Sequence, residues 1–205
     1  MVAAASLTTI GVQANTVSGS LFKVPESVVD NATGADPSNV PGGTPDVTFD
    51  VTAPGINFNA TDATVGAWLA SGGAFNVLEN TAGTLGSRMD DLTTGTIVDF
   101  KGQVTVTSGQ TFNVTQDDGL FIEIGGNVLA GINQGPNAPT PYTLTYSGPT
   151  GTFPFEMVYT ECCEGPAVLQ VDLPFSSSVP DGGSTLALLG GAMALLRTVS
   201  RRIRK

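Results

Sequence analysis

Short runs of alternating apolar residues, closed by Gly, Asn, Asp or Pro, constrain the fold of this chain more than any other feature of its sequence. The clearest run is Gln110–Thr115, in which Phe112 and Val114 fall on one face, since residues two apart on a strand share a face. Asp117-Asp118-Gly119 then predicts a turn, and Leu120–Ile124 predicts the return strand. Many such segments at near-regular spacing predict an all-β chain that folds as an antiparallel β-sandwich or barrel.

Further strands are predicted on both sides of this run, and the abundance of turn residues (26 Gly and 13 Pro) supports them. One of them, Thr96–Thr107, carries a predicted bend or bulge at Gly102. Pro25–Pro45 predicts a long loop, and Trp68 and Phe75 are predicted to lie in the core rather than to form a ligand platform. The remaining predicted strands are Thr16–Val24, Asp46–Val51, Val128–Ile132 (after a Gly125-Gly126-Asn127 hairpin turn), Tyr142–Tyr146, Phe153–Tyr159 and Ala167–Leu173.

The C-terminus has a different pattern, in which a short motif, an apolar run and a basic end follow one another. An apolar run partitions into the bilayer while a Lys/Arg cluster stays on the cytoplasmic side, so this order predicts a membrane stop signal. The body of the chain would then lie outside the cytoplasm. The motif consists of Val179, Pro180, Asp181, Gly182, Gly183, Ser184 and Thr185, the apolar run is Leu186–Leu196, and the basic residues are Arg197, Arg201, Arg202, Arg204 and Lys205.

These residues resemble the PEP-CTERM class of bacterial sorting tails, in the variant whose motif begins Val-Pro-Asp. The resemblance implies that an exosortase, an integral-membrane enzyme, recognises and processes the tail during export. One departure is that only eleven residues separate Thr185 from Arg197, whereas a full span takes roughly 20. Arg197 would then snorkel, or the helix would continue through Val199 and Ile203. An ordinary amphipathic C-terminal helix is the alternative.

The two ends bound a single predicted domain. Residues 1–14 resemble the end of a secretory signal, with Val12 and Ala14 suited to cleavage before Asn15, although an ordinary β-strand is the alternative. Residues 15–175 form the predicted β-sandwich domain, residues 176–185 the linker and sorting motif, and residues 186–205 a short hydrophobic helix with the basic tail.

Charge and composition exclude several classes of function. Between residues 15 and 178 the only basic residues are Lys23, Arg88 and Lys101, whereas this segment holds all but one of the 18 acidic residues. Such a domain repels phosphate backbones, so nucleic acid is not a predicted partner. The chain has no His, which excludes a Ser-His nucleophile pair, and neighbouring acids in a turn rarely face each other across a substrate. No enzyme activity and no catalytic residue are predicted.

Asp117 and Asp118 form the constellation with the most chemistry. Two adjacent carboxylates in a turn repel each other unless a positive charge lies between them. Hard oxygen atoms clustered in a loop suit Ca²⁺, which takes roughly 6–8 oxygen ligands and tolerates irregular geometry. We predict a calcium site at Asp117 and Asp118, with Asn133 as a third ligand and Gln134, Asn137 or loop carbonyls as further candidates.

The residues around this pair resemble the hallmark of the domain named after anthrax protective antigen. Gln110–Asn127 contains a Phe-x-Val strand, a polar residue, Asp-Asp-Gly, an alternating strand and a Gly hairpin, and two later segments, Phe155–Glu161 and Gly165–Val171, also match. The resemblance implies a β-sandwich. In the lectin members of that family, the pair that matches Asp117 and Asp118 holds calcium, which in turn binds sugar hydroxyls.

Cys162 and Cys163 are the only cysteines and are adjacent in the sequence. An exported chain meets an oxidising environment, which favours a vicinal disulfide in a tight turn. Two free thiols or intermolecular bonds are the alternatives. A soft-metal site would need more thiolates or His than the chain offers.

We therefore predict an exported cell-surface or extracellular-matrix protein, sorted by an exosortase and anchored in the membrane by its C-terminal helix before processing. Its β-sandwich is predicted to bind glycans with calcium. The alternative is a structural matrix or coat component that binds no sugar. The first function predicts that Asp117 and Asp118 converge on a cleft with further oxygens, and the second predicts carboxylates that are solvated or that cap backbone amides.

Overall fold

Two antiparallel sheets pack face to face in a computed structural model, which describes residues 16–52, 56–61 and 64–174. One sheet has seven strands in the order β4-β2-β1-β5-β10-β7-β8, and the other has four in the order β3-β11-β6-β9. The strands are β1 (Thr16–Pro25), β2 (Val47–Thr52), β3 (Ile56–Thr61), β4 (Phe75–Glu79), β5 (Thr94–Val106), β6 (Thr111–Asp117), β7 (Leu120–Ile124), β8 (Asn127–Val128), β9 (Thr140–Thr145), β10 (Gly151–Glu161) and β11 (Pro166–Val171).

The predicted antiparallel β-sandwich is confirmed, and the helical content of the described residues is small. Two short α-helices, α1 (Glu26–Val29) and α2 (Val65–Ser71), lie between strands, with single 3-10 turns at Pro37–Asn39 and Thr84–Gly86. The predicted C-terminal hydrophobic helix lies outside the described residues. No helix within the described ranges is long and apolar enough to cross a membrane.

The connection through Asp117-Asp118-Gly119 differs from the predicted hairpin turn. Strand β6 pairs with β9 and β11 in the four-stranded sheet, whereas β7 pairs with β8 and β10 in the seven-stranded sheet. The three residues therefore carry the chain from one sheet to the other instead of folding it back on itself. The sequence could not distinguish the two connections, because each needs only a short turn between two alternating segments.

The core between the sheets is built on the alternation that the sequence shows. In β2 the residues Val47, Phe49 and Val51 are buried, and in β6 the residues Phe112 and Val114 are buried, as predicted. The centre of the core is aromatic. Its ring contacts join Phe49, Phe58, Phe100, Trp68 and Tyr159. Trp68 stacks with Phe58 at a centroid distance of 4.1 Å and with Tyr159 at 5.6 Å.

Three local predictions are wrong. The strand predicted at Val128–Ile132 is reduced to Val128 at the end of β8, and residues 129–132 are irregular. Trp68 is fully buried as predicted, but Phe75 is 37 % exposed because β4 is an edge strand, paired among the described strands with β2 alone. Gly102 carries no bulge, since the pairing of β5 with β10 runs through it without a shift of register. The absence of a side chain at Gly102 instead leaves room for the ring of Phe155, which a Cβ there would approach to 2.8 Å.

The long segment between β1 and β2 is mostly irregular, as predicted, and part of it covers the outer face of the seven-stranded sheet. Val29 of α1 and Ala35 are buried there against apolar side chains of that sheet. We call this group the outer cluster. Its buried members are Phe22, Val24, Val29, Ala35, Ile97, Phe121, Val158 and Cys162. The outer cluster brings the β1–β2 segment beside the end of β10, close to the link between the sheets.

Candidate metal centre

The link between β6 and β7 is fixed against the end of β10. The Asp118 N–H donates to Thr160 O (3.2 Å), and the Thr160 N–H donates to Gly119 O (2.9 Å). Gly119 permits this approach, because a Cβ at that position would overlap Gln134 O and Thr160 Oγ1. The peptide bond between Asp117 and Asp118 is cis. The two backbone hydrogen bonds to Thr160 hold the link against β10.

The carboxyl groups of Asp117 and Asp118 lie side by side and are withdrawn from solvent. Each residue is only 5 % exposed, and the two carboxyl groups are within hydrogen-bonding distance of each other. Burial, and then the charge of Asp118, raises the pKa of Asp117 to about 7. Burial also raises the pKa of Asp118, although two backbone N–H groups oppose this shift. The pair is electrostatically unfavourable as two anions.

Asp118 accepts one backbone hydrogen bond on each oxygen. Its Oδ2 accepts from the Cys162 N–H (2.7 Å), and its Oδ1 accepts from the Asn137 N–H (3.0 Å). These bonds fix the orientation of the side chain between the end of β10 and the β8–β9 loop. A carboxylate has about four lone-pair sites, so two amide contacts leave Asp118 able to accept from a further partner.

Two more acids lie behind the pair. Glu161 is buried, and the hydroxyl of Tyr159 contacts both the Glu161 carboxyl and the backbone oxygen of Asp117. Burial raises the pKa of Glu161 well above its ordinary value, and the charge of Asp118 raises it further. Asp90 is also buried, and its Oδ2 has no hydrogen-bond partner among the described residues. The end of the sandwich thus concentrates four acids with raised pKa values.

The ammonium group of Lys23 lies near Asp90 and Glu161, but its hydrogen bonds go to other residues. Its Nζ donates to Arg88 O (2.9 Å), Met89 O (2.7 Å) and Thr96 Oγ1 (2.9 Å). Burial lowers the pKa of Lys23 to about 8, against the charges of Asp91, Asp90 and Glu161. Within the described residues, neither Asp117 nor Asp118 forms an ion pair with a lysine or an arginine.

In the β8–β9 loop, the residue that contacts the pair is Asn137 rather than Asn133. The side chain of Asn133 accepts from the Gly135 N–H (3.0 Å) and donates to Asn137 Oδ1 (3.1 Å). Asn133 therefore shapes the loop that places Asn137 on Asp118. Its role as a ligand stays a prediction.

The sequence reasoning missed Tyr159, Glu161 and Asp90 as neighbours of the pair. A signal for two of them was present, because Met157, Tyr159 and Glu161 alternate along β10 and share its inner face. A carboxyl at the end of an apolar alternation predicts a buried acid. Asp90 carries no comparable signal, since it lies in an irregular segment before β5.

The structure joins Cys162 and Cys163 by a disulfide. Cys162 is buried in the outer cluster, whereas Cys163 is exposed, and both Cys163 and Glu164 have positive φ angles (69° and 57°). A carboxylate oxygen of Asp30 lies within 4.8 Å of the two sulfur atoms. Sulfur atoms in a disulfide are not thiolates, so this group is not a soft-metal site in the oxidised chain.

The donor set at the pair fits a hard cation. Asp117 and Asp118 offer carboxylate oxygens, and the adjacent β8–β9 loop offers amide and carbonyl oxygens. Gln116 supports the fit: it is fully buried, its Nε2 donates to Asn133 O (2.6 Å), and its Oε1 has no partner among the described residues. Calcium accepts such mixed oxygen sets. The residues therefore suit calcium better than zinc or another soft cation.

Comparison with known proteins bears on the two parts of the chain separately. Residues 178–203 match the VPDSG-CTERM motif, which confirms the predicted sorting tail and marks the chain as an exported protein. The individual motif and basic residues lie outside the described residues. No curated protein matches the chain by sequence.

Two solved structures resemble the described body of the chain. A PA14 sugar-binding domain from an RTX adhesin superposes with a TM-score of 0.53 at 20 % identity, covering 82 % of this chain and 93 % of that one. The PA14 domain of the antifreeze protein MpAFP superposes with a TM-score of 0.52 at 22 % identity, covering 87 % and 90 %. These similarities confirm the predicted protective-antigen-type sandwich as a fold.

Proposed function

We propose that this exported chain binds carbohydrate through a calcium ion held by Asp117 and Asp118. The observation that carries the proposal is a pair of adjacent, nearly buried carboxyl groups without a basic partner among the described residues. Such a pair is relieved either by a shared proton or by a cation. A divalent cation neutralises both charges at once and keeps coordination positions for other oxygens.

Calcium bound at this place would have incomplete protein coordination. Two carboxylates and a few loop oxygens supply fewer ligands than the roughly 6–8 that calcium takes. The remaining positions suit neutral hydroxyl groups, and vicinal hydroxyls of a sugar supply two oxygens at once. The acidity of the segment agrees with a neutral glycan rather than an anionic ligand. The adhesin domain with the same fold is described as sugar-binding.

The C-terminal tail indicates where the chain would bind carbohydrate. An exosortase-type membrane enzyme would process the tail after export, and the apolar run would anchor the chain in the membrane until then. The sandwich would then act at the cell surface or in the extracellular matrix. This fits an adhesive role, in which the glycan belongs to a neighbouring cell or to the matrix.

A structural matrix or coat component is the second candidate, and one observation favours it. Both oxygens of Asp118 cap backbone amides, which is the geometry expected of a carboxylate that only stabilises loops. Asp117 distinguishes the two candidate functions. Its buried carboxyl group contacts another acid and is not stabilised by backbone amides in the way that Asp118 is. A purely structural role gives no reason to retain this second acid.

The test is a glycan-array measurement on the full-length chain with calcium and with excess EDTA. The proposal predicts a defined set of neutral glycans that is bound with calcium and released by EDTA. Asp117→Asn is the informative variant, and Asp50→Asn on β2 is a matched surface control that should bind normally. Calcium binding without any glycan binding, or glycan binding that EDTA leaves unchanged, would contradict the proposal.

A further inference from the structure

The turn that follows β10 contacts two of the buried acids through its backbone. The Cys162 N–H donates to Asp118 Oδ2 at 2.7 Å, and the Glu164 backbone lies near enough to the carboxyl group of Asp90 to lower its pKa against the larger effect of burial, which raises it. We call Cys162-Cys163-Glu164 the disulfide turn. The Cys162 amide lies at the start of the disulfide linkage and orients Asp118, and the Glu164 amide follows the linkage on the side of Asp90.

The disulfide restricts the backbone that carries these two amides. A bond between adjacent cysteines closes a small ring that contains the peptide bond between them. The positive φ angles of Cys163 and Glu164 are unusual for residues other than Gly, and such angles persist where the surroundings impose them. The Cys162 side chain is fixed at the other end, because it is buried in the outer cluster. The turn is therefore anchored by packing on one side and by the ring on the other.

We infer that the Cys162–Cys163 disulfide is the positioning element of the metal centre, so that opening the disulfide weakens calcium binding while the sandwich stays folded. The inference rests on the proposed calcium site. Asp118 is the ligand whose orientation depends on the disulfide, because one of its two backbone donors comes from the turn and the other from the β8–β9 loop. Without the ring, the Cys162 N–H is free to leave Asp118 Oδ2, and the carboxyl loses one of the two contacts that orient it.

The core of the fold does not depend on the turn. The residues of the turn follow the last residue of β10, and the pairing of β10 with β5 and β7 ends at or before Glu161. The apolar cluster between the sheets contains neither cysteine. Opening the disulfide is thus expected to alter the metal centre much more than the stability of the sandwich.

The experiment compares calcium titrations of the full-length chain in three states: oxidised, treated with dithiothreitol, and changed to Cys162→Ala/Cys163→Ala. In the second state, two electrons and two protons pass from the dithiol to the disulfide, which becomes two thiols while the reagent becomes a cyclic disulfide. Groups that orient metal ligands contribute about 10–100-fold to affinity, so we expect at least about tenfold weaker calcium binding in the second and third states. Dithiothreitol added to the double variant is the reagent control and should change nothing.

A second readout separates this inference from the proposed function. Amide hydrogen exchange of Cys162, whose N–H bonds Asp118, is measured in the calcium-free wild type before and after reduction. Protection that is lost on reduction, with the core amides unchanged, supports the positioning role even if the oxidised chain binds no calcium and the proposed function fails. Equal calcium affinity in all three states, unchanged protection of the Cys162 amide, or global unfolding on reduction would each overturn the inference.

Discussion

The aromatic centre of the sandwich and its acidic end share strand β10 but differ in what their side chains gain from folding. Tyr159 and Glu161 lie two residues apart on β10, yet the ring of Tyr159 stacks on Trp68 while the carboxyl of Glu161 is buried among other acids. At the centre, apolar area removed from water stabilises the fold. At the end, burial raises the pKa of each acid, which means that it opposes the charged form.

This difference indicates a division of roles. A protein retains unfavourable buried charges where a function needs them, and other parts of the molecule supply the compensating stability. The aromatic centre is therefore expected to determine the free energy of unfolding, and the acidic end to determine calcium affinity. Substitutions confined to one region test this division.

The largest expected effect on stability is that of Phe58→Ala in the aromatic centre. The Phe58 ring is fully buried, stacks on Trp68 and meets the edge of Phe49, so its removal should lower the free energy of unfolding by about 3–5 kcal/mol. Phe75→Ala on the edge strand is the matched control, with an expected loss below about 1 kcal/mol. Urea unfolding measures both. A loss of calcium affinity in folded Phe58→Ala would contradict the separation of roles.

A smaller loss of stability is expected for Gly119→Ala, in which the structural change should be confined to the acidic end. The added methyl group would overlap Gln134 O and Thr160 Oγ1, so the link between the sheets must shift, at about 1–3 kcal/mol of stability and with a loss of calcium binding. Gly86→Ala is the control, since a Cβ there meets no atom within 4 Å. Thermal unfolding and calcium titration of both variants check the prediction. Normal calcium binding by Gly119→Ala would show that the link tolerates displacement.

The smallest expected effect on stability is that of Asp117→Asn, and it is a gain rather than a loss. The pKa of Asp117 is raised to about 7 in the folded chain, so between about pH 4 and pH 7 the folded state holds more protons than the unfolded state. The calcium-free chain should therefore lose stability as the pH rises through this window. Asp117→Asn should reduce that loss and stabilise the calcium-free chain at pH 7.5 by on the order of 1 kcal/mol. Melting temperatures of the wild type and the variant in EDTA at pH 5 and pH 7.5 measure the effect, and equal slopes would contradict it.

Most of the strands were predictable because alternation and turn residues are local properties of the sequence, but β3 and α2 were not predicted. Val47, Phe49 and Val51 show the buried face of β2 directly, and Leu120–Ile124 matches β7 residue for residue. The pairing of strands was not predictable in the same way. The link at Asp117-Asp118-Gly119 looks like a hairpin turn locally, and only the partners of β6 and β7 show that it crosses between sheets.

The candidate site was predictable in its centre and not in its surroundings. Adjacent aspartates before a Gly are visible in the sequence, whereas Asn137, Cys162 and Asp90 reach the site from three other segments. Those contacts depend on how the β1–β2 segment and the β8–β9 loop pack on the sheets. Loop packing of this kind follows from tertiary contacts, which one sequence does not display.

The central claim is that the acidic end binds calcium through Asp117 and Asp118, and calorimetric titration of the full-length chain tests it most directly. Calcium-free wild type is titrated with Ca²⁺ and with Mg²⁺ at pH 7.5, beside Asp118→Asn and the surface control Asp50→Asn. The account predicts saturable binding of one Ca²⁺ per chain, much weaker Mg²⁺ binding, loss in Asp118→Asn and retention in Asp50→Asn. No heat of binding and no calcium-dependent rise in melting temperature, or undiminished binding by Asp118→Asn, would contradict it.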